Sequence, residues 1–135
     1  MRNVFLITTT LAFGLLINLE AHAGAVDSLQ LEYQSQGAGS FSATSGEQMW
    51  KRRYLHKKSG KQRSCQTCHG KELTRSGKHA RTGKVIEPLA VSANSERLTD
   101  IKFMKKWFKR NCKWTIGREC SAQEKGDFLE YLKGL

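Results

Sequence analysis

The sequence predicts an all-α fold with long loops, and three observations carry that expectation. Four stretches place apolar residues three and four apart, the period of an amphipathic helix. Residues suited to capping stand at the heads of three of them. No run alternates apolar with polar residues long enough to read as a strand. At 135 residues, the chain is sized for one domain. That length excludes a TIM barrel, a doubly wound dehydrogenase and any multi-domain enzyme.

The elements follow in chain order. Val26, Leu29, Leu31 and Tyr33 predict a short helix over Val26 to Gln36. A small, polar connection runs from Gly37 to Ser42. A second helix is expected from about Ser45, with Thr44 and Glu47 or Ser45 and Gln48 as a capping box. On it, Trp50 and Tyr54 lie one turn apart on one face. Gly70 to Asn94 carries glycines, the only proline (Pro88) and many polar residues, and reads as irregular chain. A domain this small rarely keeps such a stretch ordered unless it wraps around something. The third helix is expected over Thr99 to Arg110, capped by Thr99 or Asp100, burying Ile101, Met104, Trp107 and Phe108. A short loop, Asn111 to Cys120, would follow. The last helix opens on a Ser121/Glu124 capping box and carries Phe128, Tyr131, Leu132 and Leu135 at i, i+3, i+4 and i+7.

The first 23 residues have the pattern of a cleaved export signal. Arg2 is a short positive start, Val4 to Leu19 is mostly apolar, and Ala21-His22-Ala23 is a small-x-small cleavage site. The apolar run is shorter than the ~20 residues a spanning helix needs. A mature domain over residues 24–135 is therefore expected in the periplasm, where disulfides persist. Four cysteines suffice there for one cofactor site and one bridge. The formal net charge of +11, from 23 Lys and Arg against 12 Asp and Glu, survives cleavage because Arg2 and Glu20 leave together.

One motif carries chemistry. Cys65-Gln66-Thr67-Cys68-His69 has the spacing at which two thiols add to the two vinyl groups of one haem, with the next histidine placed as an axial iron ligand. A covalently held haem (haem c) would also give so few helices a large apolar surface to cover. A zinc site would need Cys112 and Cys120 as its second pair, at a poor spacing. A thioredoxin-like redox pair would need a preceding strand and a βαβ context. Instead a basic run, Lys51 to Arg63, with seven Lys and Arg and no acid, leads into the motif. Such a field near a haem edge suits an acidic redox partner; nucleic acid is not expected of an exported haem protein, nor a membrane once the signal is removed.

The sixth iron ligand is less direct. No methionine lies between Asn111 and Cys120, and Met104 and Met49 fit core packing. His56, His79, Lys113 and Asn111 remain as candidates. Asn111 also has a plain reading as a helix C-cap.

Gly46 and the aromatic one turn on, the haem motif, a loop, a helix and a terminal EKGDFLEYLKGL helix together resemble the small class I cytochromes c. That resemblance implies crossed first and last family helices, with Gly46 and Trp50 facing Phe128 and Tyr131. The runs RTGKVIEPLAVSANSERLTD, KKWFKRNC and IGRECSAQEKGDFLEYL are closer still to the SHP family (sphaeroides haem protein), oxygen-binding monohaem cytochromes c. The resemblance implies Cys65 and Cys68 as haem attachment, His69 as proximal ligand, Asn111 as distal ligand in the oxidised state and a Cys112–Cys120 disulfide. Val91 departs from the proline expected there, in a loop expected near the haem propionates, for which Arg81 and Lys84 are candidate partners. The resemblance further implies a dihaem cytochrome c as electron donor.

An amide oxygen is a hard ligand that suits Fe(III) better than Fe(II). Reduction should then free one iron position for O2, NO or CO. Three functions stay open: an electron-accepting cytochrome that binds such molecules and turns them over as a reductase, a shuttle whose Asn111 never leaves, and a gas sensor without turnover. No dedicated acid–base pair for an organic substrate is evident.

Overall fold

The computed structural model describes residues 24–57 and 59–135; the expected signal, residues 1–23, lies outside them. Helix α1 spans Ala25–Ser35 and α2 spans Ala43–Lys51. Strands β1 (Tyr54–His56) and β2 (Lys61–Arg63) precede a one-turn helix, α3 (Gln66–His69). Strands β3 (Gly77–Lys78) and β4 (Val85–Ile86) precede α4 (Ile101–Thr115) and α5 (Ala122–Lys133). The all-α expectation holds for the architecture. No helix among the described residues is long and apolar enough to cross a membrane.

The two antiparallel hairpins depart from the strand-free expectation. Tyr54 pairs with Arg63, and Gly77 with Ile86. The strands are two or three residues long, and none of their residues is fully buried. Too few residues are involved, and too few are buried, to write a period of two into the sequence.

Helix boundaries also differ. Helix α2 ends at Lys51, so Tyr54 falls in β1 and does not share a helix face with Trp50. The α2 cap is Ser42, whose side chain accepts from the Ser45 amide at 3.2 Å, so neither Thr44 nor Ser45 heads the helix. Helix α4 does not stop at Arg110. It continues through Asn111 to Thr115, because no Gly or Pro interrupts it and Cys112 and Thr115 prolong the buried side begun by Met104. Gly117, at φ +88°, then turns the chain out of the helix. Asn111 is therefore an interior helix residue and not a C-cap. Asp100 caps α4 as expected, accepting from the Phe103 amide, and Ser121 and Glu124 form the full capping box of α5.

The core has two halves joined across α5. Val26, Leu29 and Tyr33 of α1 pack with Met104 of α4 and Leu129 of α5. Trp50, Leu73, Ala90 and Leu132 form the second half, against Phe128 and Tyr131. The expected α2–α5 crossing is present. A Cβ on Gly46 would stand 2.8 Å from both the Asp127 carbonyl carbon and Tyr131 Cβ, so only glycine allows this approach. Trp50, one turn on, stacks against Phe128 with ring centroids 5.7 Å apart. Met104 is a core residue, buried among α1 and α5, which leaves it no role at a metal.

Candidate functional site

The site begins where β2 ends. The Ser64 amide donates to Thr67 Oγ1 at 3.0 Å, which turns the chain into α3. In one helical turn Cys65 and Cys68 are three apart and lie on one side of it, and His69 adjoins Cys68. The Cys65 carbonyl accepts from the Cys68 and His69 amides at 3.3 and 3.2 Å. Gly70, at φ +79°, ends the turn. Both thiols are free.

Two further elements press on this turn. Trp50 of α2 lies beside His69, ring centroids 5.6 Å apart. The β3–β4 hairpin backs onto it from another side. A Cβ on Gly77 would stand 2.6 Å from His69 Cα, and the Ala80 amide points at Cys68 Sγ at 3.4 Å. A cleft of about 540 Å³ opens between the hairpin and α3, lined by Gln66, Cys68, Gly77 and Val85 among others.

Burial sets the chemistry of these groups. It pushes the Cys65 thiol up to about 11. Burial, followed by the charge of Arg97, drives His69 down to about 4. At neutral pH the imidazole is therefore uncharged and keeps a lone pair for a metal.

Helix α4 supplies another surface. Phe103, Trp107, Asn111 and Trp114 recur at i, i+4, i+8 and i+11, so they lie on one face. Phe103 is 45% exposed, its ring centroid 5.9 Å from that of Trp107. The indole N–H of Trp107 is buried with no hydrogen-bond partner among the described residues. Asn111 itself is exposed, and its amide has no partner among the described residues. Cys112, the next residue, forms a disulfide with Cys120, Cα atoms 5.6 Å apart.

Cys65, Cys68 and His69 thus stand on and beside one helical turn, and among the described residues no hydrogen bond joins Asn111 to any of them. Two bridges link it to the motif. Arg63 stacks over the Trp114 ring at 4.5 Å and donates to the Trp114 carbonyl at 2.7 Å. Trp50 touches His69 and Phe128, and Phe128 meets Phe108 edge-on at 6.0 Å, one turn before Asn111.

The other ligand candidates make local contacts. His56 Nδ1 pairs with Ser59 Oγ at 3.1 Å, and His79 Nδ1 accepts from the Thr82 amide at 3.1 Å. Lys113 pairs with Glu119 at 3.0 Å. Cys112 and Cys120, the second ligand pair a zinc site would need, are joined to each other in a disulfide.

This donor set fits a covalently attached haem. It offers two free thiols at vinyl spacing, one neutral imidazole, an aromatic helix face left partly uncovered and an unpartnered indole N–H. Sequence reasoning missed the Trp50–His69 contact, the Gly77 approach and the Arg63–Trp114 bridge. Only the last had a local signal, since Arg63 ends the basic run two residues before Cys65.

Residues 36–132 match the family model described as Domain of unknown function (DUF1924). Over 69 residues the chain is 52% identical to Cytochrome c-type protein SHP of Cereibacter sphaeroides, a match covering 51% of this chain and 53% of that protein. The matched stretch thus spans about half the length of that relative. Over 133 residues the chain is 32% identical to Cytochrome c'' of Methylophilus methylotrophus, covering 93% of this chain and 92% of that one. Among solved structures, oxidised SHP, described as an oxygen binding cytochrome c, superposes with a TM-score of 0.71 at 36% identity, over 81% of this chain and 96% of the other. Oxidised cytochrome c'' superposes at 0.68 and 32% identity, over 80% and 92%. The chain therefore belongs to the DUF1924 family, a cytochrome c of the kind represented by SHP and cytochrome c''.

Proposed function

We propose that this chain is an exported monohaem cytochrome c that accepts an electron and then binds a diatomic molecule of the O2 or NO type where Asn111 has let go. Cys65 and Cys68 would hold the haem by thioether bonds, and His69 would be its permanent axial ligand. When bound, the haem would supply an iron that cycles between Fe(III) and Fe(II) and can take up a diatomic molecule. Asn111 would complete the coordination of Fe(III) through its carbonyl oxygen and withdraw from Fe(II), the softer ion.

The placement of Asn111 carries this reading. It shares the aromatic face of α4, has no partner to hold it back among the described residues, and stands beside the Cys112–Cys120 bridge. The bridge anchors the backbone, so the side chain can rotate without the helix end melting. Lys113 is paired with Glu119, and the Nδ1 atoms of His56 and His79 are hydrogen-bonded within their own turns. Two relatives add support: SHP is described as oxygen binding, and a cytochrome c'' structure is described as informing haem-ligand detachment.

The electron donor would be an acidic protein. Lys102, Lys106, Lys109 and Arg110 line the exposed side of α4, beside the Asn111 stripe, and Arg52, Arg53, Lys57 and Lys61 surround the β1–β2 hairpin. Such a field can raise association rates by about 10–10³, falling with salt. In the periplasm the bridge would persist.

Substituting Asn111→Ala tests the ligand assignment. The ferric optical bands should move, and the ferrous bands should match those of the parent, because the amide has already left. Unchanged ferric bands would exclude Asn111 as ligand. Ferrous bands that move equally would mean a permanent ligand, hence a simple shuttle.

A further inference from the structure

Helix α4 is held by different segments at its two ends. Near its start, Met104 is buried against α1, and Lys105 pairs with Glu32. Its last turn, beyond Asn111, is fastened to the chain leading into α5 by the Cys112–Cys120 bridge and the exposed Lys113–Glu119 pair. Arg63, the last residue of β2, fastens the same turn to the segment that carries the CxxCH motif. Its Nη1 donates to the Trp114 carbonyl at 2.7 Å, and its guanidinium carbon lies 4.5 Å from the centre of the Trp114 ring. Among the described residues, no other hydrogen bond joins residues 61–70 to α4.

The contact suits both partners. The Trp114 carbonyl stands at the C-terminal end of a helix, where carbonyls run out of amides and the dipole is negative. The amides of Ile116 and Gly117 both turn back to the Cys112 carbonyl instead. Arg63 supplies a donor and a positive charge there, and its flat cation lies over the indole face. The Arg63 backbone is itself fixed. It pairs with Tyr54 in the β1–β2 hairpin, and Ser64, the next residue, is buried. Cys65 follows directly. On the other side of the contact, Asn111 and Trp114 are three apart in α4 and so neighbour each other on the helix surface. A clamp on the Trp114 turn is thus a clamp on the position of Asn111 relative to Cys65, Cys68 and His69.

We propose that Arg63 is a positioning residue, which ties the last turn of α4 to the haem-attachment segment and so holds the Asn111 amide at the ferric iron. The inference rests on Asn111 being the ferric ligand, as proposed above. Without the clamp, α4 is free to ride away with α5, and the amide is already partly withdrawn before any electron arrives.

The sign of one measurement separates this role from a plain charge effect. A ligand that prefers Fe(III) lowers the reduction potential, so weakening it favours Fe(II). Removing a bystander cation does the opposite, because a nearby positive charge disfavours the more positive ion. The test uses the holoprotein, with covalent haem in each variant established by its pyridine haemochrome. Spectroelectrochemistry of Arg63→Ala should show the reduction equilibrium displaced about tenfold toward Fe(II), or ~59 mV for one electron. The high-spin share of the ferric spectrum should rise with it. Arg63→Lys, which keeps a charged donor, should recover most of that displacement. In an Asn111→Ala background, Arg63→Ala should no longer displace the equilibrium toward Fe(II). An unchanged potential, a displacement toward Fe(III), or an equal displacement in the Asn111→Ala background would overturn the clamp, whatever the melting temperature. Ferric bands unmoved by Asn111→Ala alone would instead overturn the ligand assignment, so the two failures are distinguishable. If Arg63→Ala does not take up haem, Trp114→Ala removes the stack from the opposite partner, and the same displacement toward Fe(II) is expected; a parent-like potential there overturns the proposal.

Discussion

Substituting Gly46→Ala probes the contact on which the site is built. The added methyl would stand 2.8 Å from the Asp127 carbonyl carbon and from Tyr131 Cβ, and nearer still to the Asp127 carbonyl oxygen. Carbon atoms rest at about 3.5–4.0 Å, so α2 and α5 must part by about 1 Å. Backbone rather than a flexible side chain stands in the way, so the strain cannot relax locally. Overpacking of this kind costs about 1–3 kcal/mol. Parting the helices also loosens the Trp50–Phe128 stack, worth about 0.5–1.5 kcal/mol beyond its buried area. Alanine returns about 1 kcal/mol of helix propensity. The balance is a loss of about 2 kcal/mol, and at ~4–8 °C per kcal/mol for a domain near this size the melting temperature should fall by about 10 °C. Thermal unfolding of the holoprotein, followed by far-UV circular dichroism, measures it. Gly39→Ala is the control, because its Cβ would meet nothing nearer than Gln123 Oε1 at 3.7 Å. A Gly46→Ala protein that melts with or above its parent would refute the crossing as described.

Two further outcomes follow from other parts of the fold. Replacing both Cys112 and Cys120 with Ala opens a nine-residue loop, and loop-closure entropy puts the loss at about 2.5 kcal/mol; urea unfolding should show it, and an unchanged midpoint would mean that the bridge constrains nothing. Tyr33 has a buried hydroxyl with no partner among the described residues, and burial, aided by the Glu32 charge, pushes the phenol up to about 12. A native value above the ordinary 10 means that its contribution is complete below pH 10 and lost as the pH rises from 10 to 12. Tyr33→Phe should therefore resist alkaline unfolding better than the parent. At pH 7 it should change stability by no more than about 1 kcal/mol, since an unsatisfied hydroxyl is removed. A larger loss at pH 7 would show that the hydroxyl is bonded after all.

Much of this was legible in the residues because helices write their own boundaries. Ser121 and Glu124 announce α5, Asp100 announces α4, and the stripes through Val26–Tyr33 and Phe128–Leu132 name the buried faces. The haem turn was legible because its chemistry requires one spacing. What stayed hidden depends on contacts between distant segments. Ser42 resembles any loop serine until the Ser45 amide is seen to point at it. The extension of α4 past Arg110 is paid for by Cys112 and Thr115 packing inward, while the nearest stop signal, Gly117, stands beyond both. Gly77 carries no motif. Its importance comes from the backbone of His69, which only the fold brings to it.

Carbon monoxide titration of the reduced holoprotein, with the oxidised form as control, tests the central claim most directly. Release of the Asn111 amide predicts that the ferrous Soret band shifts and saturates as CO is added, while the ferric spectrum does not respond. A ferrous spectrum that ignores CO would contradict the account, because the sixth position would then be occupied in both oxidation states.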